Sequence, residues 1–420
     1  MADRSLRDWL QHLERLHPKN IDLGLTRISA VGRILGLLPY TIPVLTVAGT
    51  NGKGSVVYSS EVMLRAHGRR TGRYTSPHLL AFNERICIDG EDAPDEAIVD
   101  AFETIEAARG DITLTYFEFA TLAALWLFRE QAVDVAILEV GLGGRLDASN
   151  MVDADLAVIT AIDLDHQHWL GDTVEAIAPE KAAIARAGRP VVLAEPSYPD
   201  SLFSTLHDLG AAVLRAGDAW SWRHGEQLEV KLAGDRGRVS VPVPAGLRPG
   251  NVAAAVQAVA CMVGGDFSGD AAARALATLR VPGRRERREV AGRELVLDVA
   301  HNPAAMGALV QWLGEHPASG RSYAALGLME DKDLDTMAGQ LAEAVDGAWA
   351  MAIPSIDRAL EPEQVWEALD HAGIAAPQAE FSCESVWERL LEGTGPGDRI
   401  IICGSFHTVA GIMAFLPGHA

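Results

Sequence analysis

Cysteine is scarce in this chain of 420 residues: Cys87, Cys261, Cys383 and Cys403 lie far apart and form no CxxC pair. That scarcity argues against a zinc cage or a disulfide framework and fits a reducing compartment. Long apolar runs are missing too: no stretch reaches the ~18 uncharged apolar residues of a membrane span. The segment Met1–Pro18 carries charges every few residues and has no apolar core of a secretion signal. The expected location is the cytoplasm, with no membrane partner. No low-complexity tract interrupts the chain, and no period of about 20–50 residues marks a solenoid or propeller. Positive charge is in deficit, with 36 Lys and Arg against 57 Asp and Glu and a net charge of −21. Such a surface argues against nucleic acid or an anionic membrane as main partner. Anionic small molecules stay open, because a few local donors can hold a phosphate inside an acidic protein.

What is present is an ordinary globular composition, 48% hydrophobic and 22% charged, in a chain long enough for two domains. Short β-branched runs predict strands over Ile42–Ala48, Val133–Val140, Asp155–Ala161, Pro190–Ala194, Leu295–Val299, Tyr323–Leu328, Ala348–Ile353 and Arg399–Cys403. Amphipathic stretches between them, such as Ser55–Ala66, Phe119–Glu130, Thr173–Ala187 and Asn251–Val263, predict helices. This alternation indicates α/β domains on mostly parallel sheets. Ala211–Val243 reads instead as antiparallel strands, an edge subdomain on the first sheet. The joint is placed in Val281–Arg288, VPGRRERR, where Pro282 and Gly283 break the preceding helix and a charged run reads as a solvated linker. Residues 1–283 then form the first domain and 284–420 the second.

Chemistry concentrates at predicted strand ends. In Val44–Ser55, VLTVAGTNGKGS, an apolar strand enters a glycine-rich turn with a lysine and then a helix, a pattern whose free N–H groups and compact charge suit a phosphate. The Walker A pattern is matched imperfectly: Val47 replaces its first glycine, and Gly54 separates Lys53 from Ser55. In Leu138–Asn150, LEVGLGGRLDASN, Glu139 ends a strand and is a candidate magnesium ligand or a structural hydrogen-bonder. In Asp163–Gly171, His166 and His168 are open to three readings: metal ligand, general base or loop residue. Asp298 and His301 in LDVAHNP, and Ser405 and His407 in CGSFHTV, follow later strands.

Taken together, GTNGKGS (Gly49–Ser55), TSPHL (Thr75–Leu79), NERI (Asn83–Ile86), TYFEF (Thr115–Phe119), EVGLGGRLDASN (Glu139–Asn150), DHQHWLGDT (Asp165–Thr173), EKAAI (Glu180–Ile184), GN (Gly250–Asn251), PGR (Pro282–Arg284), DVAHNP (Asp298–Pro303) and GSFHTV (Gly404–Val409) resemble, in order, the bacterial folate ligases of the Mur-ligase superfamily. The resemblance covers nearly the whole chain, and the offset phosphate loop is the form that family uses. It implies a three-layer P-loop ATPase domain and a smaller α/β C-terminal glutamate-ligase domain. The implied reaction activates a carboxylate with ATP as an acyl phosphate, which the amine of L-glutamate attacks.

By the same resemblance, Thr50, Asn51, Gly52, Lys53, Gly54 and Ser55 would cradle the ATP phosphates, and Asn251, Arg284, Asp298 and His301 would contact the nucleotide. Ser76 and Glu139 would hold one Mg²⁺; Glu139, His166 and Lys181 would hold a second, with Lys181 carbamylated. Lys53, Glu139, His166 and Lys181 form the implied catalytic set. The pterin-bearing acid would lie around Ile21, Asp22 and Leu23, around Thr115, Tyr116, Phe117 and Glu118, and around Leu146, Asp147 and Ala148. Arg145-Leu146-Asp147 matches the form of the bifunctional enzymes, so both dihydropteroate and reduced folates are expected acceptors, on a monomer. Two departures, Ala183 for a glycine and Arg285 for an aromatic, are expected to touch none of these residues. The competing readings are a polyglutamate synthase without the dihydropteroate reaction, a cell-wall Mur ligase, and a P-loop module that ligates nothing.

Overall fold

The computed structural model describes residues 4–19, 21–234, 236–353, 358–377 and 381–416. Strands β1 (Val44–Ala48), β2 (Thr71–Tyr74), β3 (Ile86–Ile88), β4 (Glu91–Asp92), β5 (Val135–Glu139), β6 (Leu156–Ile159), β7 (Pro190–Leu193) and β8 (Ala212–Arg215) form one sheet, in the order β4-β3-β2-β5-β1-β6-β7-β8. From β2 to β8 the pairing is parallel, while β3 and β4 turn back antiparallel at one edge. β1, β5 and β6 are buried along their whole length, as strands covered on both faces must be. One apolar cluster packs Trp9, Phe102, Phe119 and Phe128 with Tyr74, Ala136 and Leu138. Another packs Ala178, Ala182, Leu202 and Leu206 with Ile159, Val191 and Leu193.

A further sheet joins β12 (Glu286–Val290), β13 (Arg293–Leu297), β14 (Ser322–Leu326), β15 (Gly347–Ala350) and β16 (Arg399–Cys403) in the order β12-β13-β16-β14-β15, with only the edge strand β12 antiparallel. Its core brings Val296, Leu326, Ala348 and Ile401 together with Met306, Leu309, Met337 and Val365. The chain divides into two compact units, Met1–Pro244 with Arg248–Leu279, and Ala245–Leu247 with Arg280–Ala420. No helix among the described residues is long and apolar enough to cross a membrane.

Two expectations need correction. Ala211–Val243 is not one antiparallel edge: β8 joins the large sheet in parallel, and β9 (Ser221–His224), β10 (Leu228–Lys231) and β11 (Arg238–Val241) form a separate antiparallel sheet. The misreading follows from β8 being an edge strand, so its residues lack the burial of the central strands. The charged run of VPGRRERR is also no solvated linker, since Glu286–Arg288 opens strand β12 against β13. Its charges are edge-strand charges, with Arg287 paired to Glu294 across the ladder and Arg288 to Glu286.

Candidate active site

The loop after β1 turns through Gly52, whose φ of +96° and position against the Asn251 amide leave no room for a side chain. The helix Lys53–Ala66 starts directly behind it, so its first N–H groups face the loop. Asn251, buried near the start of the helix Pro249–Val263, is thereby brought to the loop from two hundred residues on. Thr50 locks the loop to the segment after β6: its N–H donates to Ala161 O at 2.7 Å, its hydroxyl donates to Asp163 O at 3.0 Å, and the Asp163 N–H donates back to that hydroxyl at 3.0 Å. Lys53 Nζ donates to Gly49 O at 3.0 Å and Thr50 O at 3.1 Å.

Lys181 reaches the same atom. It is buried on the helix Val174–Ala182, and its Nζ donates to Gly49 O at 3.0 Å. Burial first, and the charge of Lys53 second, bring its pKa down to about 7. Glu139 ends β5, while Ser76 and His166 follow β2 and β6, so with β1 the set belongs to the carboxyl-end side of four adjacent strands, which span about 14 Å at ~4.8 Å per strand. That edge of an open α/β sheet is where ligands bind. Glu139 is buried at the end of β5, in register with Val47 of β1. His166 has a left-handed backbone (φ +51°) and a 40% exposed side chain, and its N–H donates to Asp165 Oδ1 at 2.8 Å. A hydroxyl, a carboxylate and an imidazole suit a divalent cation; an ammonium has donors only and does not.

In the acceptor region, Thr115 and Glu118 cap the helix Tyr116–Glu130 reciprocally, at 3.2 and 2.8 Å. Phe117 lies 5.9 Å from the Tyr74 ring. The Gly24 N–H donates to Leu146 O at 3.3 Å, which joins the segment after Ile21-Asp22-Leu23 to the loop carrying Leu146, Asp147 and Ala148. Asp147 is buried and accepts from Leu142 N at 2.8 Å and from Ser149 N and Oγ at 2.9 and 2.6 Å. Burial pushes its carboxyl up, against those hydrogen bonds. The three predicted segments therefore meet. Sequence reasoning missed the residue that joins two of them: Arg27 pairs with Asp22 at 2.6 Å and with Glu118 at 3.3 Å. The only signal was a lone arginine opening a helix after an acidic residue, and one partner lies 91 positions away.

In the second unit, Asp298 follows β13 and is buried; its Oδ1 accepts from Ala300 N at 2.8 Å and its Oδ2 from Arg285 N at 3.0 Å. Burial raises its carboxyl, while Arg285 and then Arg284 act to lower it. Arg284 lies over the Phe406 ring at 5.1 Å, and the His301 ring is 6.3 Å from the same phenyl. The expectation that Arg285 touches none of the site residues is overturned. Arg285, at a left-handed φ of +46°, bonds Asp298 through its main chain and stands 4.0 Å from it through its guanidinium. Ala183 O accepts from Asn150 at 3.4 Å, a residue outside the expected site set.

The family model "Mur ligase, glutamate ligase domain" matches residues 283–406. The dihydrofolate synthase/folylpolyglutamate synthase of Escherichia coli K12 is 40% identical over 413 residues, covering 98% of this chain and 96% of that protein. The solved structure of E. coli FolC in complex with DHPP and ADP superposes with a TM-score of 0.93 at 39% identity, covering 99% of this chain and 98% of that one. A bifunctional folylpolyglutamate synthase/dihydrofolate synthase with Mn, AMPPNP and L-glutamate bound gives 0.90 at 39% identity, covering 99% and 98%.

Proposed function

This chain belongs to the dihydrofolate synthase/folylpolyglutamate synthase family, and from that premise we propose that it joins L-glutamate to dihydropteroate and to tetrahydrofolate or its polyglutamates, releasing ADP and phosphate. The observation that carries the reading is the Gly49 carbonyl, on which the phosphate-loop lysine and Lys181 converge at 3.0 Å each. It fastens the lysine of EKAAI to a nucleotide loop, an arrangement that ATP binding alone does not require. Lys53 and the N–H groups at the start of its helix hold the phosphates and balance charge on the transferring group, the dominant contribution in phosphoryl transfer.

Two lysines on one carbonyl repel each other if both are charged. Carbamylation of Lys181 removes that conflict and turns a donor into an oxygen ligand, so the donor set of Ser76, Glu139, His166 and Lys181 then fits two Mg²⁺ ions. Those ions, when bound, supply further charge neutralisation at the phosphates. Asn251, Arg284, Asp298 and His301 contact the nucleotide, and Phe117 offers a flat face for the pterin. The first unit carries the ATP and pterin sites, the second is the glutamate-ligase domain, and the enzyme acts as a cytoplasmic monomer.

The test is ADP release by the purified protein with Mg-ATP and L-glutamate, comparing dihydropteroate, tetrahydrofolate and no acceptor. Release with both acceptors is expected. Release with tetrahydrofolate alone removes the dihydropteroate reaction and the role given to Asp147, and no acceptor-dependent release overturns the substrate class.

A further inference from the structure

The segment NERI, Asn83–Ile86, has no part in the chemistry above, yet its glutamate grips the chain on both sides of Ser76. The Glu84 carboxylate accepts three main-chain N–H groups, from Leu79 at 2.7 Å, Leu80 at 2.6 Å and Ala81 at 2.7 Å. Its own carbonyl accepts from the Thr75 hydroxyl at 3.3 Å, and the Thr75 N–H donates to the next carbonyl, that of Arg85, at 3.0 Å. Residues 76–78 are thus a short span between two anchors, both at Glu84 and its neighbour. Three charge-assisted bonds to one carboxylate are stronger than neutral ones and fix the direction of the peptides they hold.

The Thr75 anchor is itself tied to the phosphate-loop helix. Arg73 on β2 donates to Thr75 Oγ1 at 3.2 Å and pairs at 2.7 Å with Glu61, which lies on the helix that begins at Lys53. Both partners are almost fully buried, and Tyr58 of the same helix stacks over the Arg73 guanidinium at 4.0 Å. One buried path therefore runs from the phosphate-loop helix through Glu61, Arg73 and Thr75 to Glu84.

We propose that Glu84 is a positioning residue for Ser76, holding its hydroxyl where the metal that accompanies ATP is bound; the inference rests on the reading of Ser76 as a metal ligand. Glu84 does not touch the reacting groups and acts through the loop it clamps. Outer partners that orient a metal ligand typically contribute roughly 10–100-fold to metal affinity.

The experiment compares the full-length protein with Glu84→Ala, Glu84→Gln and Ser76→Ala. Two quantities are measured: Mn²⁺ affinity in the presence of AMPPNP, by electron paramagnetic resonance, and hydrogen exchange at the amides of Leu79, Leu80 and Ala81. Glu84→Ala is expected to speed exchange at those amides and weaken Mn²⁺ binding by roughly 10-fold or more, in the same direction as Ser76→Ala. Glu84→Gln, which keeps one acceptor oxygen, is expected to fall between and serves as the test if Glu84→Ala does not fold. Faster exchange with unchanged Mn²⁺ affinity in the Glu84 variants, while Ser76→Ala weakens binding, overturns the positioning role and leaves Ser76 as a ligand. Unchanged affinity in Ser76→Ala removes the metal reading itself, and the inference with it.

Discussion

Each unit contains one deeply buried aspartate among its site residues, and the two are stabilised differently. Asp147 in the first unit is held by neutral donors of its own loop: the N–H groups of Leu142 and Ser149 and the Ser149 hydroxyl. Asp298 in the second is held by two main-chain N–H groups and faces the guanidinium of Arg285. Burial raises both carboxyls, so what offsets it decides what each residue is sensitive to. The loop of Asp147 depends on shape, because every donor must stay in place. Asp298 depends on charge, because an arginine opposes the cost of its burial. The phosphate side of the first unit adds a third device, lysines on carbonyls.

The largest effect expected is at those lysines and the neighbouring carboxylate. Lys53→Ala or Glu139→Ala should fold normally and lose ~10²-fold or more in acceptor-dependent ADP release, the scale of one lost electrostatic contact to the transition state. A near-normal rate for either would remove the phosphoryl-transfer role from the first unit's strand ends.

Shape dependence around Asp147 is sharpened by Gly144→Ala. A methyl there would stand 2.6 Å from Glu180 O and 3.2 Å from Lys181 Cα, both main-chain atoms that cannot swing aside. The expected cost is about 1–3 kcal/mol, typical of forced overpacking, read from urea unfolding. A variant as stable as the parent would mean the loop yields, and the contrast with Asp298 would weaken.

Charge dependence at Asp298 is tested by Arg285→Ala. Removing the cation should raise the Asp298 carboxyl further and leave Asp147 where it is, as followed by carbon-13 NMR titration of the aspartates. A carboxyl that titrates above its unfolded value favours the fold below the ordinary aspartate range, and loses that contribution as pH rises through its raised value. The variant should therefore shift that loss to higher pH. An unmoved Asp298 would show that its hydrogen bonds suffice, and the two aspartates would then be alike.

The central strands were legible because β1, β5 and β6 are apolar but for Thr46 and the terminal Glu139, and the glycine-rich turn announced the phosphate loop. Strand β12 was not, because an edge strand can carry charge, and Glu286–Arg288 looks like linker when its partner β13 is unseen. The motifs located Lys181, yet nothing in a separation of 132 residues says that its amine shares the Gly49 carbonyl with Lys53. Arg27 and Arg285 escaped for a similar reason: each acts through a partner fixed by the fold. The departure of Arg285 from the family pattern was visible, but its contact with Asp298 was legible only in three dimensions.

The three residues Ala245–Leu247 pack with the second unit, although the chain returns afterwards to finish the first. The polypeptide therefore crosses between the units three times, and no single cut separates them. A fragment ending at Leu279 would carry a short segment, with its nearly buried Leu247, whose packing partners had been removed. During synthesis the same segment emerges before Arg284 and Arg285, whose carbonyls Gly246 lies against, so it cannot take its place until the second unit has been made. Exchange of one unit between relatives would have to carry this small segment along with residues 280–420.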